Sequence, residues 1–138
     1  MSVAAASQAL TRDEVAAWAS DLYANAVERK DAAGFAAVFT PDAWLRFGNN
    51  PRLEGPDTIR EAIAGFFQAM VSLSHESRGT FLDGDTLFLE AVVTYTRHDG
   101  NKVSVPAMTV FHLVGKRQGK IMADNCRIYV DLAPLFAP

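Results

Sequence analysis

One cysteine, Cys126, is the only thiol in a chain of 138 residues, so no intrachain disulfide can brace the fold. Three histidines, His75, His98 and His112, stand at spacings that do not build a zinc set with that thiol, and no metal site is expected. There is no excess of positive charge. Thirteen Lys and Arg against 16 Asp and Glu give a net charge of −3, and the basic residues are scattered, which argues against nucleic acid as a partner. No run of apolar residues is long enough to suggest a membrane span. The opening "MSVAAASQALTRDEVAAW" has neither a basic leader region nor a sustained apolar stretch, so a cytoplasmic protein without membrane attachment is expected. With 49% hydrophobic and 21% charged residues and no internal repeat or linker, the chain reads as one globular domain, 1–138, with 1–10 as a flexible N-terminal segment.

What is present falls into two halves. Over 11–30, apolar residues recur at Val15, Trp18, Ala19, Leu22, Ala26 and Val27, the period of a helix with one buried stripe, and Thr11 followed by Glu14 is a capping-box pair. Asp31 caps a short second helix over 32–39, which Pro41 stops. "AWLRF", 43–47, alternates as a strand. Gly55-Pro56-Asp57 then opens a third helix whose buried face is Ile59, Ile63, Phe66, Phe67 and Met70. After Ser72 the period changes to two. Four strands are expected over 75–82, 86–97, 102–114 and 119–132, joined by "LDGD", "HDGN" and "GKRQG", each with a glycine suited to a tight turn. Helices followed by an antiparallel meander is an α+β arrangement, with the helices on one face of the sheet.

Strand alternation then assigns faces. In 86–97 the odd residues Leu87, Leu89, Ala91, Val93 and Tyr95 form an apolar side. In 119–132 the even residues Met122, Cys126, Ile128 and Val130 do so with Asp124 among them, while Asn125, Arg127, Tyr129 and Asp131 point the other way. Alternation thus sends Asp124 and Asn125 to opposite sides. The strand 102–114 is apolar on both faces; Met108 and Val110 are assigned to the helix side, Thr109 and its odd neighbours to the outer side. A strand buried twice needs a second cover, and a second copy of the chain, forming a homodimer through the outer sheet face, is the simplest one.

Long helix, short helix, strand, third helix and four-stranded meander, carried by "KDAAGFAAVFTPDAWLRF", "LEGPDTIREAIAGFF", "VVTYTRHDGNKVSVPAMTVFHL" and "GKIMADNCRIYVDLAP", resemble the nuclear transport factor 2-like superfamily, and within it SnoaL-like proteins. The resemblance implies a cone-shaped barrel of curved, mostly antiparallel sheet wrapped around three N-terminal helices. It also implies a cavity for a small molecule and, in several relatives, acid/base chemistry without a cofactor. Relatives place a tyrosine where Tyr23 stands. The general base of ketosteroid isomerases falls on Phe47 and their second oxyanion-hole acid on Met108, and the catalytic set of limonene-epoxide hydrolases on Ile128, Ala91 and Val93. Neither catalytic set is kept.

The expected cavity is therefore apolar, with substrate-binding residues Trp18, Phe47, Phe66, Met70, Tyr95, Met108, Cys126 and Ile128, and suits a hydrophobic small molecule. His75 is the candidate acid/base group because imidazole titrates nearest neutrality. Asp124 is the candidate partner that orients it, and Tyr23 the candidate hydrogen-bond donor to a substrate oxygen. A cyclase, isomerase or dehydratase on an apolar or aromatic substrate, needing no cofactor, is one expectation. A binding or dimeric interaction module without chemistry is the other.

Overall fold

A computed structural model describes residues 9–138, so the greater part of the expected flexible segment, 1–8, lies outside the described residues. The first helix, α1 (Arg12–Leu22), starts on a complete capping box: Thr11 Oγ1 accepts the Glu14 N–H at 3.2 Å and Glu14 Oε2 accepts the Thr11 N–H at 2.8 Å. Its buried stripe is Val15, Ala19 and Leu22. The helix does not continue regularly to residue 30. It widens into a π turn, Tyr23–Val27, closed by the Glu28 N–H donating to the Tyr23 carbonyl at 2.8 Å.

Asp31 caps α2 (Ala32–Ala36) by accepting the Gly34 N–H at 3.0 Å. The chain then enters β1 (Phe39–Phe47) and, after a turn, β2 (Leu53–Glu54). Pro41, expected to precede the strand, lies inside it. The position tolerates proline because the pairing of β1 is irregular between Phe39 and Trp44. Helix α3 (Pro56–Phe67) has proline in its first turn and buries Ile59, Ile63 and Phe67. The meander follows as β3 (Ser72–Asp83), β4 (Thr86–Thr96), β5 (Lys102–Arg117) and β6 (Lys120–Val130), and a four-residue helix α4 (Ala133–Phe136) ends the chain.

The strand order is β2-β1-β6-β5-β4-β3. All neighbours are antiparallel except β1 and β6, which run parallel because the meander returns across the helices to lay its last strand beside the first. The sheet is a curved, open cone with β2 and β3 at its edges, and its concave side carries the core: Leu45, Ile59, Met70, Leu87, Phe111, Leu113 and Cys126 are fully buried there with Val15 of α1.

Two face assignments differ from the sequence expectation. Register sets Thr109 opposite both Leu89 and Ile128, and Phe111 opposite both Leu87 and Cys126, so Ala107, Thr109 and Phe111 face the helices. Met108 and Val110 face outward instead. A strand apolar on both sides carries no phase in its own pattern; its neighbours decide it. The second difference is a bulge: the β5–β6 register shifts between His112 and Leu113, leaving Asp124 without an opposite residue between Ala123 and Asn125. Alternation therefore fails there. The side chains of Asp124 and Asn125 meet on one side, Asn125 Nδ2 donating to Asp124 Oδ1 at 3.2 Å.

Phe111 packs edge-on to Trp18 at 5.3 Å and lies 6.2 Å from Phe39, joining α1 to both halves of the sheet. Phe111→Ala is expected to lower stability by about 3–5 kcal/mol in chemical denaturation, the range for an emptied aromatic core site. Met108→Ala, on the outer face, should cost clearly less. The reverse ranking would contradict the face assignment of β5.

Candidate functional site

Because the helices cover a sheet that curves away from them, a cavity of about 390 Å³ remains between α1 with its π turn, α3, and the concave faces of β1 and β3 to β6. Its wall is largely apolar. Phe47 and Phe66 lie 4.9 Å apart and Tyr95 meets Phe66 edge-on at 6.0 Å, while Leu89, Ala91, Val93, Ile128 and Val130 line the strands. The polar groups are few. They are Ser20 from α1, Tyr23 and Glu28 from the π turn, His75, Ser77 and Thr80 from β3, and Thr109 from β5, while Glu90 borders it on β4 at a position opposite the outward-facing Met108.

His75 is held on two sides by the π turn. Glu28 Oε2 accepts the backbone N–H of His75 at 2.6 Å and lies 3.2 Å from its Nδ1, and the Tyr23 ring stands edge-on 4.7 Å from the imidazole. The five-residue hydrogen-bonded loop of the π turn is what allows residues 23 and 28 to approach the same target. The His75 side chain is only 17% exposed. Burial moves its pKa below the usual imidazole value and outweighs the upward pull of Glu28, so the ring is neutral at pH 7. A neutral imidazole facing a carboxylate through Nδ1 carries its proton there, which leaves the Nε2 lone pair as a base.

The Tyr23 phenol is shifted strongly upward by burial and, secondarily, by Cys126, an effect the neighbouring Thr109 hydroxyl reduces. It stays protonated and acts as a donor. Burial raises the Tyr95 phenol to about 12. The Cys126 thiol is likewise pushed up by burial and is packed in the core as a small apolar group, outside the cavity wall.

Of the residues singled out from the sequence, Tyr23, His75, Phe47, Phe66, Tyr95 and Ile128 line the cavity. Trp18 does not: it borders a separate hollow of about 220 Å³ between α1 and α2. Met70 is fully buried in the core, and Met108 lies on the outer face. Asp124 does not meet His75. The bulge turns it to His112, whose Nδ1 is 2.7 Å from Asp124 Oδ1, and it takes no part in the cavity wall. The partner of His75 is Glu28, which the sequence pattern left unmarked in a polar run closing the first helix. The nearest signal for it was its spacing of five from Tyr23. Thr109 was assigned to the wrong face. On the outer face Arg127 stands opposite Val110, and its Nε is buried without a partner among the described residues.

Among the described residues no group of three His, Cys, Asp or Glu side chains is placed to hold a metal ion, and no helix is long and apolar enough to cross a membrane. The sequence model of the SnoaL-like domain matches residues 8–123. The chain belongs to the SnoaL-like domain family. Among proteins of curated function, none matches this sequence. The solved structure of ActVI-ORFA from Streptomyces coelicolor is similar with a TM-score of 0.74 at 20% identity, covering 86% of this chain and 96% of that one. An NTF2-like protein of unknown function from Burkholderia pseudomallei is similar at 0.73 and 14% identity, covering 93% and 100%. A protein with a ketosteroid isomerase-like fold from Catenulispora acidiphila, solved in complex with trimethylamine, is similar at 0.67 and 17% identity, covering 91% of each chain. At these identities the likeness establishes the NTF2-like fold of this SnoaL-like protein and leaves its chemistry to its own side chains.

Since the folded pKa of His75 is lowered, its contribution to stability is fully present above the unfolded value of about 6.5 and is lost as pH falls through that value toward the folded one. An NMR titration of the His75 ring should give a midpoint below 6.5. In Glu28→Gln the midpoint should drop further, because the carboxylate favours the charged ring. A midpoint that rises in Glu28→Gln would contradict this account of the pair.

Proposed function

We propose that this SnoaL-like protein is an acid/base enzyme for an apolar or aromatic small molecule held in the cavity, of the cyclase, isomerase or dehydratase type. The observation that carries the reading is the His75–Glu28 pair inside an oily hollow, with His75 Nδ1 engaged and Nε2 left as a base. His75 Nε2 removes a proton from the substrate, and the imidazolium so formed is stabilised by Glu28. Tyr23, kept protonated by burial, donates a hydrogen bond to a substrate oxygen as negative charge builds there. Return of the proton to another carbon completes an isomerisation, and return to a departing hydroxyl releases water. All proton transfers use side chains of the chain, so the reading calls for no cofactor. Asp124 has no place in this scheme.

A second reading, binding without turnover, is favoured by the apolar side chains at Phe47, Ala91, Val93 and Ile128, positions where relatives resembling this chain carry proton-transfer groups. Deuterium exchange into enolisable aromatic ketones, followed by NMR in D2O, separates the two. The enzyme reading expects exchange to be accelerated, with His75→Ala lowering the rate by about 10²–10⁴-fold, Glu28→Gln by less, and Tyr23→Phe slowing exchange while His75 still titrates. Ketones that bind without exchanging, or exchange unchanged in His75→Ala, would leave only the binding reading.

We also propose that the outer sheet face pairs with a second copy of the chain. Phe81 and Tyr129 are each 55% exposed on that face, where Tyr129 stands opposite Met108, and two large apolar side chains left to solvent on one sheet face suit a second copy as cover. A stable dimer hides about 800 Å² per partner. Sedimentation velocity should show a dimer for the native chain and a monomer for Tyr129→Glu; a native monomer at micromolar concentration would count against the pairing.

A further inference from the structure

The charge of the cavity wall says what kind of guest it accepts. Glu28 is the acidic residue that lines it with an inward side chain, since Glu90 stands opposite the outward-facing Met108, and no lysine or arginine lines it. His75 adds no positive charge at neutral pH, because burial keeps its ring uncharged. The guanidinium of Arg12 donates to the Thr80 carbonyl at 3.1 Å without itself lining the cavity. Glu28 uses one oxygen for His75: Oε2 accepts both the backbone N–H and the ring N–H, while Oε1 has no partner among the described residues, and the side chain is 30% exposed. A carboxylate in the wall of a hollow of about 390 Å³, with one oxygen free of protein partners among the described residues, is a ready acceptor for a charged donor. Tyr23, Phe47, Phe66 and Tyr95 line the same hollow, and aromatic ring faces attract cations. A cleft walled by one sign of charge concentrates counter-ions of the other, and the net charge of −3 acts in the same direction.

We infer that the cavity selects a small molecule bearing a protonated amine on an apolar or aromatic body, with Glu28 Oε1 as the residue that recognises the amine, and that it rejects carboxylates and phosphates of the same shape. This rests on the reading of the cavity as a small-molecule site. Glu28 thereby has two roles on two oxygens: Oε2 positions His75, and Oε1 sets specificity.

Three probes of one shape test this by calorimetry at pH 7.5: 2-naphthylmethylamine, 2-naphthalenemethanol and 2-naphthoic acid. The native chain should bind the amine at least about tenfold more tightly than the alcohol, and the acid at least about tenfold more weakly. Glu28→Gln keeps an acceptor for the His75 N–H; a thermal melt confirms its fold. It should still bind the alcohol but lose the preference for the amine. An alcohol or acid that binds the native chain as tightly as the amine would overturn the inference while leaving a small-molecule cavity intact, as would an amine preference that survives in Glu28→Gln. If none of the three binds, the cavity is not a site for such molecules, and this inference falls together with the reading beneath it.

Discussion

Glu28 Oε2 takes two hydrogen bonds from a single residue 47 positions further along the chain, the backbone N–H and the ring of His75. A half-buried imidazole at the start of a sheet needs such a partner, and a carboxylate is the one that also fixes which ring nitrogen holds the proton. The contact requires that the first helix end in a way that presents residues 23 and 28 together. A regular α-helix would turn them to different sides; the π turn over Tyr23–Val27 does not. The irregular helix end, the tautomer of His75 and the polar corner of the cavity are thus one arrangement.

The hollow itself follows from how the sheet is covered. Core residues from α1, α2 and α3 meet the concave face at Leu45, Phe111, Leu113 and Cys126, where packing is complete. Beyond that layer the strands curve away, and the side chains of Leu89, Ala91 and Val93 face space that the helices do not fill. Burying polar groups there is tolerable where they satisfy one another, as His75 and Glu28 do. On the opposite side of the sheet the polar residues form a separate set, His112, Asp124 and Asn125, gathered by the β5–β6 bulge.

The fold was legible because its signals are local: a capping box at Thr11 and Glu14, proline opening α3, and glycine turns between alternating strands. The site was legible in part. His75 and Tyr23 stood out as chemistry-bearing residues on predicted elements, and both reach the cavity. Asp124 was misplaced because strict alternation has no means of anticipating a bulge, which depends on pairing across two strands. Met108 and Thr109 were exchanged because β5 is apolar on both faces and only the register with β4 and β6 settles which face is which. Glu28 was missed for a different reason. It lies among charged residues at a helix end, where a carboxylate is usually just solvated, and the π turn that redirects it leaves no periodic mark.

The protonation pattern of His75 is the most direct check on this account, since the π turn, the Glu28 contact and the proposed chemistry all converge on it. Long-range proton–nitrogen correlation spectra of the uniformly labelled protein at pH 7.5 report which ring nitrogen carries hydrogen. A neutral ring protonated at Nδ1, with Nε2 bare, is the predicted result. A ring protonated at Nε2, or an imidazolium at that pH, would contradict it.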